Sequence, residues 1–486
     1  MSRNLFAISM TTLTRYPEGS VRELWSISLP LMISVFASLC MLFTDRLFLA
    51  RYSLDALNAV ANAGTLAWAL MCGMGMVTAM SEVFVAQYNG AKLYQQIGVP
   101  VWQMIWLSFF SYVIFIPLGL FSSEIFSFKA NGMLEAQFFR WMMFFGPSYA
   151  LMTSFAGFFI GRGKTKILIA VALIANLLNI FLDWLLIFGV PPYIPEMGIQ
   201  GAAIATSCGY GFQAIMLAIL FFRKRYRTEF GTSKWKFNIA EFNKCFKIGL
   251  PQGVFVTLEL FGWAVFYWMM TSLGKTHITV SSICQSLWIL FSFFGDGLSR
   301  GVTACAGNLI GSKKKDYLFR VMRSGLILQS IFICVIASIL LLDSKDLIRL
   351  LFFEHLESIG DQAIGIDIIN TVRICLILTF INLFFEGARW VFSGLLIAAG
   401  DTFFLLITGS ISVWIGLLLP VWAFVLRNHL AVEYAWLIAS IYSLVLFIIY
   451  VHRFRQGAWK KFDLISDVYK EREIGTESIN SDGPKN

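Results

Sequence analysis

Residues 167–189 read ILIAVALIANLLNIFLDWLLIFG, and this stretch decides the fold class of the chain. A helix needs about 20 apolar residues to cross the ~30 Å hydrocarbon core of a membrane, and this run is long enough. Its apolar residues occupy every face of a helix, whereas a strand of a membrane barrel would alternate over roughly 10 residues. Residues 326–342 have the same character. Both stretches therefore predict membrane-spanning helices.

Twelve such runs follow one another along the chain, six in each half. We therefore predict an all-α, polytopic membrane protein of twelve transmembrane helices. The first six runs are residues 24–49, 57–84, 99–121, 137–160, 167–189 and 201–222. The second six are residues 247–272, 279–303, 322–343, 368–394, 402–426 and 432–451.

The composition supports a membrane location. Of the 486 residues, 58% are hydrophobic and only 14% are charged, and the mean hydropathy is +0.72. Soluble domains carry about 25% charged residues. A soluble enzyme, a disordered scaffold and a nucleic-acid-binding module are therefore excluded, although the net charge is +9.

The positive charges predict the orientation. Most of the 38 Lys and Arg residues fall in tails and loops that share one side of the membrane, with clusters at 162–166, 223–227 and 313–315. The positive-inside rule places that side in the cytoplasm. We expect a multi-pass protein of the cytoplasmic membrane, with the N-terminal segment 1–23 and the C-terminal tail 452–486 both inside. The basic loops are expected to contact anionic lipid headgroups rather than nucleic acid.

Cysteine and histidine spacing argues against a cofactor. The eight Cys residues form no Cys-x-x-Cys pair, and the four His residues show no metal-site spacing. Gly163-Lys164-Thr165 resembles the end of a phosphate-binding loop, but Phe158 stands where such a loop needs glycine. We expect no cofactor, no structural metal and no ATPase module, so that any pumping would use an ion gradient.

An internal repeat organises the chain. The matched landmarks are Pro30 with Pro251 and Gly90 with Gly311 at an offset of 221, and Gly163 with Gly400 at an offset of 237. Six helices return the chain to its starting side, so the two copies must be parallel and related by a pseudo-twofold axis along the membrane normal. We predict an N-lobe at 24–222, a basic linker at 223–246 and a C-lobe at 247–451, facing each other across a cleft.

Two prolines fall inside predicted helices. Pro30 and Pro251 each remove a helical hydrogen bond and kink the axis. The kinks have two readings: ordinary static bends, or points at which helices 1 and 7 bend during transport.

Acidic residues at membrane depth are the candidate functional groups, because a charge there costs roughly 2.5–3.5 kcal/mol on insertion scales. Six acids qualify: Asp45, Glu82, Asp183, Glu259, Asp296 and Glu386. Asp183 lies one helical turn beyond Asn179, which places an amide and a carboxylate on one face, suited to a cation or a proton. The alternatives are polar helix contacts through Asn176 and Asn179, an interfacial Asp45–Arg46 pair, and a structural role for Glu82.

Two arginines have the spacing of helical ion pairs. Arg300 lies four residues after Asp296, and Arg389 lies three after Glu386. Such pairing would neutralise the acids. Alternatively, Arg300 or Arg389 reaches across the cleft to Glu259 and forms a charge network that changes partner with conformation.

Taken together, these landmarks resemble the multidrug and toxic compound extrusion transporters, twelve-helix antiporters of the multidrug/oligosaccharidyl-lipid/polysaccharide exporter superfamily. The resemblance covers nearly the whole chain apart from the tails. Its landmarks are Leu29-Pro30 followed by Asp45, Gln87-Tyr-Asn-Gly90, Gly161-Arg-Gly-Lys-Thr165, Asn176-Leu-Leu-Asn179 with Asp183, Gly201-Ala-Ala-Ile-Ala-Thr206, and Ala399-Gly-Asp-Thr402.

The resemblance implies two candidate ion sites. In the family, an N-lobe site for H⁺ or a transient Na⁺ is formed by residues that correspond here to Asp45, Asn179, Asp183 and Thr206. Another branch uses two C-lobe acids, and Glu259 and Glu386 fit those positions. The resemblance leaves the coupling lobe and the coupling ion open. Asp296, Arg300 and Arg389 lie outside the family's common pattern and put broad specificity for cationic drugs in doubt.

The function we expect is secondary active efflux by alternating access. The substrate would be a lipophilic small molecule, expected to be an organic cation, exported by a monomer against H⁺ or Na⁺. Aromatic side chains that could stack on it are Trp263, Phe266, Trp288 and Trp390. A lipid-linked oligosaccharide flippase is the alternative, favoured by Arg300 and Arg389. A membrane-embedded enzyme would need a nucleophile or metal cluster at one depth, and a channel would not need the duplicated design.

Overall fold

The computed structural model describes residues 13–127, 132–342, 362–462 and 464–465. Among these residues, twelve helices are long and apolar enough to cross a membrane. The remaining described structure consists of short helices and loops with one isolated β-bridge, between Val190 and Ile194. The predicted all-α class with twelve spans is confirmed.

The twelve helices are numbered here in chain order. Those of the N-lobe are α1 Val21–Tyr52, α2 Leu54–Gly90, α3 Tyr94–Leu120, α4 Gly132–Gly161, α5 Lys166–Phe188 and α6 Ile199–Phe221. Those of the C-lobe are α7 Ile239–Leu273, α8 Lys275–Gly311, α9 Lys315–Leu340, α10 Asn370–Ala399, α11 Thr402–Leu426 and α12 Val432–Gln456.

Several helices begin at side chains that cap their free backbone N–H groups. The Ser20 hydroxyl accepts from the N–H of Glu23 at the start of α1. The Asn238 side chain accepts from the N–H groups of Ala240 and Glu241 at the start of α7. Such caps satisfy the first-turn donors that a helix leaves unpaired, so α7 extends eight residues further toward its N-terminus than the predicted start at 247.

The two lobes pack their helices in the same way. In the N-lobe, α1 packs on α5, α2 on α4, and α4 on α6; in the C-lobe, α7 packs on α11, α8 on α10, and α10 on α12. Between the lobes, α1 packs on α8 and α2 on α7. Exchanging the two copies reproduces both sets of contacts, as a pseudo-twofold axis requires.

Loop conformations at one end of the bundle repeat as well. Lys92 and Lys313 have φ values of 60° and 61°, and they are 221 positions apart. Gly163 and Gly400, 237 positions apart, also have positive φ. Leu13, the first described residue, lies beside Gly163, so the described part of the chain begins at this end. We call it the N-terminal face.

An amide clamp joins the lobes at this face. The side-chain amide of Gln87 donates to the carbonyl of Ala398 at 2.8 Å, and that of Asn308 donates to the carbonyl of Gly161 at 2.8 Å. The two donors are 221 positions apart and the two acceptors 237, so the bonds are symmetry equivalents. Asn89 adds a bond to the Asn308 side-chain oxygen at 2.6 Å.

Glycines permit this close approach. A Cβ at Gly90 would collide with the backbone of Asn308, and a Cβ at Gly311 would collide with the backbone of Gln87. These glycines are again repeat equivalents. Glycine is needed here because two helix ends touch through their backbones.

Helix crossings deeper in the membrane also rely on glycine. Gly297 and Gly301 of α8 lie against Met32 and Ser28 of α1. Pro30 lies between these contacts, inside α1, and Pro251 lies inside α7. The lobes are therefore held together over the half of the membrane that adjoins the N-terminal face. Bending at the two prolines stays a prediction.

The linker between the lobes is fastened to the N-lobe. It contains a short helix, Lys224–Phe230. The buried Arg162 guanidinium lies on the rings of Phe230, at 3.5 Å, and Tyr226, at 4.9 Å. Trp102 of α3 donates to the carbonyl of Thr232 at 2.8 Å. Cation–π contacts and hydrogen bonds of this kind make the linker helix part of the N-lobe body.

Candidate functional site

The N-lobe acid site consists of Asp45, Asn179, Asp183 and Thr206. Asp45 lies on α1, Asn179 and Asp183 on α5, and Thr206 on α6, so three helices converge there. The Thr206 hydroxyl donates to Asp45 Oδ2 at 2.6 Å. The Asp45 carboxyl group also faces Asp183 and Asn179, with which it interacts. The structure thus brings together all four residues predicted for this site.

The two acids and the amide of this site are buried, and most of their polar atoms have no hydrogen-bond partner in the described part of the chain. Asn179 and Asp183 are 0% exposed and Asp45 is 5% exposed. Asp45 Oδ1, both carboxylate oxygens of Asp183 and both polar atoms of the Asn179 amide have no hydrogen-bond partner. An unpaired buried polar atom costs about 1–3 kcal/mol, and an ionised carboxylate costs more.

A cation or protons would remove this cost. Neither Asp45 nor Asp183 forms an ion pair with any Lys or Arg in the described part of the chain. The alternative of an Asp45–Arg46 pair is therefore not realised here. Carboxylate, amide and hydroxyl oxygens are ligands that small hard cations accept, although no group of three or more His, Cys, Asp and Glu residues with a metal-site arrangement occurs within the described ranges.

Asn176 differs from its neighbour on α5. Its amide donates to the carbonyl of Ala37 on α1 at 2.5 Å. Asn176 is thus a polar contact between helices, as one alternative had it, whereas Asn179, one turn along, has no such partner. The first amide holds α1 on α5, and the second faces the acids.

The C-lobe triad consists of Glu259 on α7 with Glu386 and Arg389 on α10. Arg389 Nε donates to Glu386 Oε2 at 2.7 Å, and Arg389 Nη2 donates to Glu259 Oε1 at 2.8 Å. Arg389 is 1% exposed, Glu386 2%, and the Glu259 side chain 17%. Here the acids have a cation of their own.

Both arrangements considered for Arg389 therefore occur at once. It pairs with the acid three residues earlier and also reaches Glu259. The reach does not cross the cleft, because α7 and α10 belong to the same lobe. Arg300, the other candidate partner, pairs with Asp296 instead, at 3.5 Å.

Two tyrosines of α12 complete the surroundings of the triad. The hydroxyls of Tyr442 and Tyr450 are buried without hydrogen-bond partners, and both tyrosines lie close enough to interact with Arg389. The guanidinium carbon lies 5.7 Å from the Tyr450 ring centre. These two tyrosines were not predicted from the sequence, where their only signal is a spacing of eight residues, which puts them on one face of a helix.

A third group of charges, the boundary cluster, lies between the lobes. It consists of Asp296 and Arg300 on α8 and Glu82 on α2, which interacts electrostatically with Arg300. The side chains of Asp296 and Arg300 are 35% and 21% exposed, whereas Glu82 is 4% exposed. Glu82 Oε1 has no hydrogen-bond partner. The structural role considered for Glu82 stays a prediction.

The predicted aromatic residues form a row within the C-lobe. The ring centres of Trp263 and Trp288 lie 6.0 Å apart, as do those of Trp288 and Trp390. All three are half-buried. Phe266 packs on Trp263 at 5.4 Å and is fully buried, so it supports the row from behind.

The amide clamp was also missed by sequence reasoning. Its signal was present: Gln87 and Asn308 are polar residues three positions before the matched Gly90 and Gly311. A polar residue at the same position before the matched glycine in each half would have indicated two equivalent contacts near the pseudo-twofold axis.

Comparison with known proteins agrees with this architecture. The family profile described as MatE matches residues 30–185 and 251–422. The two matches begin 221 positions apart, at Pro30 and Pro251, and end 237 apart. The family unit thus occurs twice, in the register of the internal repeat.

Relatives of similar length are transporters. The chain is 24% identical over 422 residues to the probable multidrug resistance protein NorM of Thermotoga maritima, covering 86% of this chain and 88% of the relative. It is 24% identical over 334 residues to the multidrug resistance protein MdtK of Photorhabdus laumondii, covering 65% and 71% of the two chains.

Solved structures share the fold. The eukaryotic MATE transporter AtDTX14 aligns with a TM-score of 0.76 at 17% identity, covering 90% of this chain and 96% of that one. A transporter of the MOP superfamily from Pyrococcus furiosus aligns with a TM-score of 0.73 at 17% identity, covering 92% and 97%. With the family profile spanning both halves, the chain belongs to the MatE family, the multidrug and toxic compound extrusion transporters, and is a membrane transporter rather than an enzyme.

Proposed function

We propose that this protein exports small lipophilic molecules by antiport with H⁺ or Na⁺, and that the N-lobe acid site carries the coupling ion. One observation carries the proposal: Asp45 and Asp183 face each other in a buried site without a cationic partner. Relatives named as multidrug resistance proteins support the efflux function.

The C-lobe is less suited to the coupling role. Its two acids already hold Arg389, which is buried and donates to both. An incoming H⁺ or Na⁺ would have to displace a guanidinium that is covalently tethered in place. The N-lobe acids have no such competitor, so ion binding there gains the full electrostatic benefit.

The amide clamp supports alternating access. With the N-terminal face in the cytoplasm, as the charge distribution predicts, the clamp closes the inner end of the cleft and the described state faces outward. Opening inward would break the bonds of Gln87 and Asn308 to the opposite lobe. Ion binding near α1 and substrate binding in the cleft would then favour different states.

The ion gradient supplies enough energy for export. One charge that moves through 100 mV releases about 2.3 kcal/mol. This corresponds to roughly a fiftyfold difference in substrate concentration. A single coupling ion in each cycle is therefore sufficient.

The substrate is proposed to bind near the half-buried tryptophans of the C-lobe. Trp263, Trp288 and Trp390 offer flat surfaces for an organic cation, and Glu259 is the less deeply buried acid of the triad. We further propose that the protein works as a monomer in the cytoplasmic membrane, with both termini inside.

Transport in proteoliposomes tests the proposal. Efflux of fluorescent organic cations would be followed under an imposed H⁺ or Na⁺ gradient for the wild type, Asp45→Asn, Asp183→Asn and the C-lobe variant Glu259→Gln. We expect coupled efflux with the wild type and Glu259→Gln, and none with the two N-lobe variants. Unchanged efflux in both N-lobe variants would overturn the coupling site. Binding of a lipid pyrophosphate without coupled efflux would instead favour the flippase alternative.

A further inference from the structure

Arg300 lies where the two lobes meet, close to the middle of α8. The neighbouring Gly297 and Gly301 pack on Met32 and Ser28 of α1 in the opposite lobe. Cys72, on α2 of that lobe, also lies near Arg300 and Asp296. The Arg300 side chain is 21% exposed.

The guanidinium of Arg300 has unused hydrogen-bonding capacity. Its ion-pair partner is Asp296, at 3.5 Å from Nε, which is longer than the ~2.7–2.9 Å of a charge-assisted hydrogen bond. Within the described part of the chain Arg300 forms no hydrogen bond, and its Nε is buried without one. A guanidinium carries five N–H donors.

Two other arginines, Arg389 and Arg453, are satisfied by carboxylates. Arg389 donates to two carboxylates at 2.7 Å and 2.8 Å. Arg453 donates to both oxygens of Asp401, at 2.8 Å and 3.1 Å. Arg300 differs from these two arginines in having free donors, and it lies close enough to Cys72 and Glu82 of the N-lobe to interact with them.

Acids and aromatic surfaces lie beside these donors. Asp296 is 35% exposed, and Glu82 of the N-lobe has an unpaired buried oxygen. Trp390 packs against Gly295, one residue before Asp296, and its carbonyl accepts from the Ser299 hydroxyl at 2.9 Å. Positive donors and a negative acceptor are therefore presented one turn apart on α8, with a second acid on α2 and an aromatic plane on α10 beside them.

We propose that Arg300 determines substrate specificity by binding an anionic group, so that the preferred substrates are planar aromatic zwitterions rather than simple organic cations. A substrate carboxylate or phosphonate would accept from the free guanidinium N–H groups in the fork geometry that arginine offers. Its amine would lie toward Asp296 and Glu82, and its ring system would stack on Trp390. This inference deepens the proposed efflux function and rests on it for the direction of transport.

A matched pair of dyes tests the inference. A rhodamine with a free benzoate is a zwitterion, and its methyl ester is a cation with the same ring system. Binding of each to the purified full-length protein would be measured by fluorescence anisotropy. We expect the wild type to bind the acid about tenfold more tightly than the ester. Arg300→Gln should remove this preference while ester binding stays within about twofold.

Two further variants keep the test decisive. Arg300→Lys keeps the charge but loses the fork, and it should retain only part of the preference, so it serves if Arg300→Gln does not fold. Arg453→Gln, at the membrane face, should keep the wild-type ratio of the two affinities. Equal binding of acid and ester by the wild type, or equal losses for both dyes in the Arg300 variants, would overturn the inference.

Failure of the efflux function would look different. In that case the acid would still bind in an Arg300-dependent manner, while neither dye would be exported from proteoliposomes under an H⁺ or Na⁺ gradient. The binding assay therefore judges the specificity of Arg300, and the transport assay judges the proposed function.

Discussion

The two lobes share one scaffold but carry different charges at the same depth. At the repeat offset of 221, Phe266 stands where the N-lobe has Asp45, and Ser38 stands where the C-lobe has Glu259. At the offset of 237, Met152 is the counterpart of Arg389. Duplication has thus preserved the packing and the clamp, while the buried ionisable groups have diverged.

The lobes differ in whether their buried acids are paired with a cationic side chain of the protein itself. The C-lobe acids are balanced by Arg389, which is part of the chain. Within the described ranges the N-lobe acids have no residue in that role, and we propose that the balance comes from outside as H⁺ or Na⁺. On the proposed function, the lobe with unpaired acids is the one that responds to the ion gradient.

The largest contrast is expected from Asp183→Asn. Losing this carboxylate should reduce ion-coupled efflux at least about tenfold, because the ion loses a charged ligand. The same change removes a buried carboxylate without a partner, so the melting temperature should stay constant or rise. Both quantities would be measured on one preparation, with Asp55→Asn on the exposed start of α2 as the control. A fall in melting temperature with normal efflux would contradict the comparison.

Arg389→Gln should lower the stability of the fold, in contrast to Asp183→Asn. It leaves Glu259 and Glu386 buried without their cation, and breaking such a pair costs about 3–5 kcal/mol of folding free energy. Denaturation in detergent would measure the loss. Adding Glu386→Gln should restore part of the stability, and Arg453→Gln, at the more exposed pair with Asp401, should cost less. Equal stability of the wild type and Arg389→Gln would show that Arg389 does not stabilise the buried charges of Glu259 and Glu386.

A smaller effect is expected at Thr206. Thr206→Val removes the hydrogen bond to Asp45, and hydrogen bonds to charged groups contribute about 1.5–3 kcal/mol. The concentration of ion needed for half-maximal efflux should therefore rise by roughly tenfold or more. Thr206→Ser keeps the hydroxyl and should behave like the wild type. If valine and serine gave the same value, the hydroxyl would have no part in ion binding.

The smallest effect is expected at the clamp, where the lobes are equivalent. Gln87→Leu is compared with the wild type, and Asn308→Leu is compared in an Asn89→Ala background, because Asn89 also donates to the Asn308 side chain. Each comparison then removes one amide–carbonyl bond between lobes, with a net contribution of about 1 kcal/mol. Each of these losses should increase the population open at the N-terminal face by roughly fivefold, and by similar amounts. Spin-label distances between the lobes at that face would measure it. A large effect from only one of the two would break the symmetry.

Much of the fold followed from the sequence because hydrophobic runs alone define membrane helices. The number of spans and the repeat offsets of 221 and 237 could be predicted in this way. Helix ends could not, because helices continue past the apolar core wherever a cap is available. The start of α7 at Ile239, capped by Asn238, is an example.

Within the sites, the sequence predicted which residues share a face of one helix, but not which residues of different helices touch. Asn179 and Asp183 share a face of one helix, and so do Glu386 and Arg389, which spacing alone shows. Whether Arg389 also reaches Glu259 depends on the distance between α7 and α10, which is a property of tertiary packing. For the same reason the absence of a cation near Asp183 in the described part of the chain could be seen only in the structure.

Direct measurement of ion binding tests the central claim without involving substrate or transport. Proton uptake or radioactive Na⁺ binding would be titrated on purified wild type, on Asp45→Asn with Asp183→Asn, and on Glu259→Gln with Glu386→Gln. The account predicts that the N-lobe double variant loses the bound ion while the C-lobe double variant keeps it. Loss of the ion in the C-lobe variant and its retention in the N-lobe variant would contradict the account.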